Sequence, residues 1–598
     1  MIRGKFILAL IAVYPLLFIW QGLDFTDTGY MLTNYQQIFN DPMSIASSFR
    51  IWLTVILGGT WTWFFGDALG LFGYRLAAVL LVYATLYPAY LILKPYVERK
   101  YLLGGLFLAL VFINRTGFQF NYNSMTAFFY VLAAYFLVKG LEDNKNNLVF
   151  FGAFTLGINI FVRLPNILGF FLILSIFFSG YLHKNSFSLQ LKQVFYFLLG
   201  YLSAILAALT VMYLLGHLAS YIAAFNGTFT MLNDPYGHHR KNYLVDTFFV
   251  HHGAILRKIG LILFNLTTLS VMLTISARLG RRILQYVVIL ITAAVLLYFY
   301  HEEYRNWIAM LLATVGVLYA VLAALILGAG RAGGITCAGS HPDRRFIAFV
   351  ALLILVLLPL GSNVSIRNSI YGMYLAIPLV SGYLFSISAV KISFKRIAGR
   401  LPAGFHIRLL NDEITLIKIL SLAMFLVFTL QSAYYYTYRD AADRTAMVYG
   451  VKHDRLKWVF TTRERARVVD ELTDVLPRYV KEDDYLLAYE QISMVYFLTK
   501  TRPYLYSAWP MLYSPEQFNN ALQRAQQERP YLPVIVRARG DTEKFDWPGA
   551  GGMLRSYYHD AARQTMERFI RENQYRMAWQ NSFFEILVPP EKPAPEAE

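Results

Sequence analysis

The sequence predicts a polytopic α-helical membrane protein followed by a soluble α/β domain, and three observations carry that prediction. Of 598 residues, 57% are hydrophobic and 15% charged, and the mean hydropathy is +0.44, far more apolar than a soluble surface tolerates. Apolar runs of roughly 17 or more residues, each enough to cross ~30 Å of hydrocarbon as a helix, recur from the N-terminus to Tyr435 and then stop. From Tyr436 onward charge becomes frequent and apolar residues alternate, the pattern of a separate unit of ordinary domain size. The expected division is therefore 1–435 and 436–598.

Hydropathy places spans at residues 6–22, 72–93, 102–114, 124–139, 148–162, 165–182, 194–215, 258–277, 283–300, 307–328, 346–361, 371–389 and 414–435, thirteen in all. The first run holds tyrosine and tryptophan without a small-residue cleavage site, so it reads as a retained helix and not a removed signal. The stretch IWLTVILGGTWTWFF (51–65) is either a further span or, given its aromatic density and Gly-Gly pair, a helix lying at the membrane interface. With the N-terminus in the cytoplasm, the loops on that side are all basic, among them Lys94, Arg99 and Lys100; Arg278, Arg281 and Arg282; Lys391, Lys395 and Arg396. That satisfies the positive-inside rule. An odd number of spans then puts 436–598 outside, together with the 23–71 and 216–257 loops. The net charge of +17 has the same origin, so nucleic acid is not an expected partner, whereas membrane lipids are. Cys337 is the single cysteine, which excludes an intrachain disulfide and a cysteine metal cluster.

In the C-terminal part, YLLAYE (485–490) and YLPVIVRA (531–538) read as buried strands and FFEILVPP (583–590) as a last strand. SPEQFNNALQRAQQE (514–528) is an amphipathic helix opened by Ser514 with Pro515 in its first turn. The end, 591–598, has a disordered composition. No glycine fingerprint or phosphate loop follows a strand, so no nucleotide site is expected.

Ionisable groups at the mouth of a membrane bundle are costly and need a reason. The outer turns supply Asp24, Asp27, Arg115, Arg163, His238, His239, Arg240, Lys241 and Arg367 from different loops. Cations and two carboxylates brought together suit a phosphate or pyrophosphate whose lipid tail lies in the bilayer, and arginine binds such oxygens in a bidentate way. In GLDFTDTGYMLTNYQQIFNDP, Asp24 and Asp27 stand at i and i+3, on one face if helical, although Gly29 points to an irregular segment. One carboxylate suits a general base and the other a divalent cation or acceptor contact. Equally, one of them serves as an N-cap for TGYMLTNYQQIF. His238 and His239 are adjacent, as are His251 and His252; neighbouring side chains diverge, so no three-ligand zinc geometry is expected. The 232–252 loop reads as a basic lid over a lipid phosphate or as a solvated connection. Arg163, beside Pro165, either touches a donor phosphate or snorkels at a broken helix.

A retained first helix, D-x-x-D-x-G-Y directly after it, interfacial aromatic segments, thirteen spans and an outward α/β tail together resemble the GT-C superfamily of membrane glycosyltransferases. The look-alikes are the protein O-mannosyltransferases and the lipid A aminoarabinose transferases. Their first outer loop is headed by an Asp-Glu pair; here Asp27 takes the aspartate's place and Thr28 the glutamate's, followed by Gly29 and Tyr30. WTWFFGDALGLFGYRLAAVLL (61–81) is similar to the family's passage from an aromatic interfacial helix into the second span. Asn123, in RTGFQFNYNSMTA, stands where an aspartate is frequent, which leaves Asp24 as the substitute.

The resemblance implies an inverting sugar transfer on the outer face of a bacterial inner membrane. The donor is a polyprenyl-phosphate or diphosphate sugar, and the acceptor is a lipid, glycan or protein of the cell envelope. Asp27, with Asp24, is the catalytic pair. Arg163, Arg240, Lys241, Arg367 and Arg115 are candidates for the donor phosphate, and Tyr30, Asn123, His238 and His239 for positioning donor or acceptor. The family is split on metal dependence, so a divalent cation, Mg or Mn, at Asp24 and Asp27 stays open. Two other readings are an O-antigen polymerase or ligase, which would use the 216–257 loop, and a transporter or flippase for lipid-linked glycans. Transporters tend to show internal repeats and midplane charges, and the chain shows no convincing repeat.

Overall fold

Each of the thirteen expected spans falls on a helix in the structure, a computed structural model. It describes residues 2–114, 119–233, 241–278, 282–305, 307–328, 335–336, 342–360, 362, 364–387, 389–393, 406–409, 411–441, 443–544, 547–549 and 560–590. Among these, eight helical runs are long and apolar enough to cross a membrane: Pro42–Leu93, Tyr122–Glu142, Leu164–His183, Phe187–Leu214, Asn242–Asn265, Trp307–Leu327, Ser365–Ser386 and Ile414–Tyr435. Gly4–Phe18 and Ile283–Val295 are apolar but shorter. Arg99–Ile113, Asn146–Asn159 and Pro342–Leu357 have 15, 14 and 16 residues, about 21–24 Å at 1.5 Å per residue and so short of a full hydrocarbon core. Among the described residues eight helical runs thus reach spanning length, and the expected count of thirteen spans is not confirmed.

The 51–65 stretch is not a separate helix. It joins the second expected span in one run, Trp52–Leu93, broken only at Gly70, whose φ of 49° and ψ of −143° lie outside the helical range. The break has a visible cause: a Cβ at Gly70 would lie 2.3 Å from the Arg455 carbonyl oxygen, so backbone of the C-terminal part packs into the kink. Before the kink, Trp63 and Phe64 are 79% and 69% exposed, the surface of a segment that meets lipid or its interface.

The C-terminal part contains a five-stranded sheet in the order Arg502–Pro503, Tyr485–Tyr489, Val534–Ala538, Phe584–Val588, Arg576–Gln580. The first three run parallel and the last two antiparallel. Tyr485–Tyr489 is buried along its whole length, as an unbroken apolar run in a parallel core should be. The helix Pro515–Glu528 starts with a capping box, Gln517 N–H donating to Ser514 Oγ at 3.2 Å and Ser514 N–H to Gln517 Oε1 at 3.1 Å. The tail expected at 591–598 lies outside the described residues.

This sheet presents the carboxyl ends of its parallel strands to the first loop of the membrane part. Met494 N–H donates to the Phe25 carbonyl at 2.9 Å, Thr26 Oγ1 to the Gln491 carbonyl at 3.1 Å, and Phe460 N–H to the Trp20 carbonyl at 2.7 Å. A fully buried ion pair staples the junction: Arg465 meets Asp440 and lies 4.2 Å over the Trp547 ring. Asp440 also accepts Leu23 N–H at 2.5 Å and Thr461 Oγ1 at 2.8 Å. The crevice outside the carboxyl ends of parallel strands is where α/β sheets commonly place ligands.

Candidate active site

Asp27 opens the helix Asp27–Gln37, at the end where partial positive charge favours a carboxylate. Gly29 does not make this segment irregular, contrary to the sequence expectation. It sits inside the helix because a Cβ there would come within 2.1 Å of Met494 N, so the helix lies backbone to backbone against the C-terminal part. Tyr30 is buried, shares a 2.9 Å hydrogen bond with Ser48 and meets the Trp509 ring edge-on at 6.1 Å. It braces the helix.

The two aspartates have different jobs. Asp24 is buried, and both its oxygens accept backbone N–H groups, Thr26 at 2.9 Å and Thr28 at 2.6 Å. It is the capping carboxylate for the start of the helix. Burial pushes its pKa up and neighbouring Asp27 adds to the rise, while Arg439 and the two backbone bonds pull it down. Asp27 instead points its Oδ2 at side chains. The Tyr438 hydroxyl donates to it, and Arg439 Nη2 lies 3.1 Å away. The same Arg439 nitrogen reaches Glu543 Oε1 at 2.8 Å. Burial lowers the Arg439 pKa, but Asp27, Tyr438, Asp24 and Glu543 more than offset this, so the guanidinium stays charged.

Next to this group is a cavity of about 90 Å³ whose walls include Asp24, Thr28, Asn121, Tyr438, Arg75 and Arg444. Asp27 is not in its wall but touches it through Tyr438. Arg75 donates to the Ile19 carbonyl at 2.7 Å and to that of Gly22; Arg444 donates to the Ala433 carbonyl at 2.8 Å and the Tyr436 carbonyl at 3.3 Å.

Of the other sequence candidates, Arg163 and Asn123 are brought together. Arg163 is buried, and its guanidinium donates to Asn166 Oδ1 at 2.9 Å, Asn123 Oδ1 at 3.3 Å and the Leu358 carbonyl at 3.5 Å. These partners are all neutral. Tyr122 lies within Coulombic range of both Asp27 and Arg163. Arg367 is exposed and lies in range of His251. Arg115, His238, His239 and Arg240 fall outside the described residues, as does the side chain of Lys241.

A divalent cation does not fit the two aspartates in this arrangement. Both Asp24 oxygens hold backbone N–H groups, and Asp27 Oδ2 already faces the Arg439 guanidinium and the Tyr438 hydroxyl. Among the described residues no three His, Cys, Asp or Glu side chains converge for a metal.

Fold and site together define a polytopic helical membrane protein whose polar centre lies where the bundle meets a docked α/β unit. The chain is similar in structure to the Archaeoglobus fulgidus oligosaccharyltransferase, solved in complex with Zn and sulfate, at 13% identity and a TM-score of 0.42 over 90% of this chain and 68% of that one. It is also similar to ArnT from Cupriavidus metallidurans in the apo state, at 12% identity and a TM-score of 0.39 over 97% of each chain. No known protein family matches by sequence, and no curated protein does.

Tyr438, Arg439 and Glu543 are the residues that sequence reasoning missed. YTYRD (436–440) directly follows the last span, and a Tyr-Arg-Asp cluster at the same membrane face as Asp27 was the available signal.

Proposed function

We propose that the chain is an inverting membrane glycosyltransferase of the GT-C kind. It moves a sugar from a polyprenyl-phosphate or diphosphate donor to a hydroxyl of a cell-envelope acceptor, lipid, glycan or protein. The reaction takes place on the extracytoplasmic face of a bacterial inner membrane, with the N-terminus in the cytoplasm and 436–598 outside. The observation that carries this reading is the Asp27 carboxylate, held at the junction of bundle and α/β unit by Tyr438 and Arg439, at the position where the sequence resembles the family's aspartate.

Asp27 takes the proton of the acceptor hydroxyl as its oxygen bonds to the anomeric carbon. The bond from that carbon to the donor phosphate oxygen breaks, and the phosphate leaves with the electron pair. Arg163, buried among neutral partners, has its charge free to meet the phosphate's, a preorganised electrostatic contribution. Asp24 keeps the helix start in place.

The test is the Asp27→Asn protein expressed in cells that lack the wild-type chain. Envelope glycolipids and glycoconjugates examined by mass spectrometry lose the same sugar mass as in the deletion strain, a drop of ~10²–10⁴-fold in transfer. A wild-type glycan profile with Asp27→Asn present at normal level overturns the reading.

A further inference from the structure

The segment 541–543 belongs to the C-terminal part and is fixed from two sides. Thr542 Oγ1 donates to the Gln491 carbonyl at 2.5 Å and shares a 3.0 Å hydrogen bond with Thr26 Oγ1. Glu543 N–H donates to Asp541 Oδ1 at 2.9 Å. Arg439 is equally constrained. Its backbone is left-handed, with φ 51°, and its guanidinium lies 5.4 Å from the Tyr438 ring centre and 5.8 Å from that of Trp509. One nitrogen, Nη2, is divided between Glu543 at 2.8 Å and Asp27 at 3.1 Å. The other, Nη1, is buried with no hydrogen-bond partner among the described residues. Two carboxylates far apart in the sequence thus share one guanidinium nitrogen, which has an N–H for each.

We infer that Glu543 is a positioning residue for the transfer: by drawing Arg439 partly away from Asp27, it sets how strongly Asp27 pulls on the acceptor proton. This rests on the glycosyltransferase reading of Asp27 given above. A carboxylate held by a guanidinium alone is a weak base, because taking a proton gives up the ion pair. A second carboxylate on the same nitrogen lowers that cost. The C-terminal part is then a component of the catalytic centre and not only a tether.

The arrangement makes the rate respond to pH near neutrality. Burial pushes the Glu543 carboxyl up to about 7; Arg439 pulls it down, and Asp27, Asp541 and Asp24, which also face it, push it up. When Glu543 takes a proton, Arg439 turns wholly to Asp27 and transfer slows. Raising the pH through this range ionises Glu543 and releases Asp27.

The experiment uses the full-length protein purified in detergent and mixed with lipids extracted from membranes of its own cells. Sugar transfer is followed by mass spectrometry between about pH 6 and 8. The wild-type rate rises across this window. In Glu543→Gln the rise disappears and the rate at the upper end falls several-fold, while Glu543→Asp restores the rise. In parallel, unfolding temperatures are measured for Asp27→Asn, Glu543→Gln and the double variant. Each single variant leaves Arg439 Nη2 one carboxylate in direct contact and the double variant leaves it none, so the double shift exceeds the sum of the single shifts. With an active wild type, an unchanged pH profile in Glu543→Gln or additive shifts overturn the role of Glu543 alone. No transfer by the wild type at any pH overturns the glycosyltransferase reading itself.

Discussion

Thr26 and Thr542 share a 3.0 Å hydrogen bond although 516 positions separate them. Both hydroxyls also lie within hydrogen-bond reach of the Gln491 carbonyl, so three chain segments meet two residues from Asp24 and one residue from Glu543. The first loop of the membrane part and the last loop before the final helix are built as one surface. The chemistry at Asp27 therefore depends on packing at this junction as much as on the side chains that touch it.

Gly29 is where that packing is tightest. A Cβ there would lie 2.1 Å from Met494 N and 2.5 Å from its Cα, and both obstacles are backbone, which cannot rotate away. Gly29→Ala therefore separates the helix from the C-terminal part and stretches the Phe25–Met494 hydrogen bond. The expected cost is about 1–3 kcal/mol, as for other overpacked contacts. Limited proteolysis of the purified protein should release the C-terminal part faster, with the membrane part intact; unchanged proteolysis argues against the contact.

Asp440 and Arg465 form an ion pair with neither side chain exposed. Asp440→Asn takes the Asp440 charge away from the guanidinium buried beside Trp547, at a cost of about 3–5 kcal/mol. Replacing both residues by Asn and Met removes the charge as well as the partner and costs less than Asp440→Asn alone. Thermal unfolding in detergent reads this order directly. Equal or reversed unfolding temperatures would show that the staple does not hold the junction.

Arg163 is buried and hydrogen-bonded to Asn166, Asn123 and the Leu358 carbonyl, all neutral. If its charge serves the leaving phosphate, Arg163→Gln lowers kcat by ~10²-fold, the scale of losing one electrostatic stabiliser. Arg163→Lys keeps the charge but not the planar fork, and recovers part of the loss. A rate insensitive to Arg163→Gln would return this residue to the structural role that its place beside Pro165 also allows.

The parts of the fold that were legible in the sequence are those whose signal is local. The helix Pro515–Glu528, with its Ser514 cap, and the strands at 485–489, 534–538 and 584–588 fall where periodicity and turn chemistry put them. Gly29 was misread because glycine has two uses, a bent backbone and a close approach, and the obstacle that decides between them, Met494, is 465 positions away by number in the sequence. Asp24 and Asp27 were recognised as a pair, but their division of labour was not, because it follows from which one receives Tyr438 and Arg439. Those partners lie after the last apolar run, and Glu543 lies after the strand Val534–Ala538. Only the tertiary fold joins them.

Glu490 offers a measurement that is independent of any activity. It is buried at the carboxyl end of the strand Tyr485–Tyr489, with a left-handed backbone, φ 71°, and among the described residues it pairs with the partly exposed Arg563 at 3.6 Å. Burial raises its pKa to about 7; Arg563 and Arg537 offset this only in part, and Asp541 and Glu567 add to it. A carboxyl whose folded pKa lies above its unfolded value binds more protons in the folded state, so its contribution is fully present below the unfolded value and is lost as pH rises through the folded one. Stability of the wild type should therefore fall between about pH 4.5 and 7, by on the order of 3 kcal/mol from this group. Glu490→Gln, neutral at every pH, removes that component and unfolds at a higher temperature than the wild type above about pH 7. Melting curves taken across this range decide the matter: if the two proteins lose stability in parallel, Glu490 is paired or hydrated well enough to carry its charge, and the burial at the strand end is not what sets its titration.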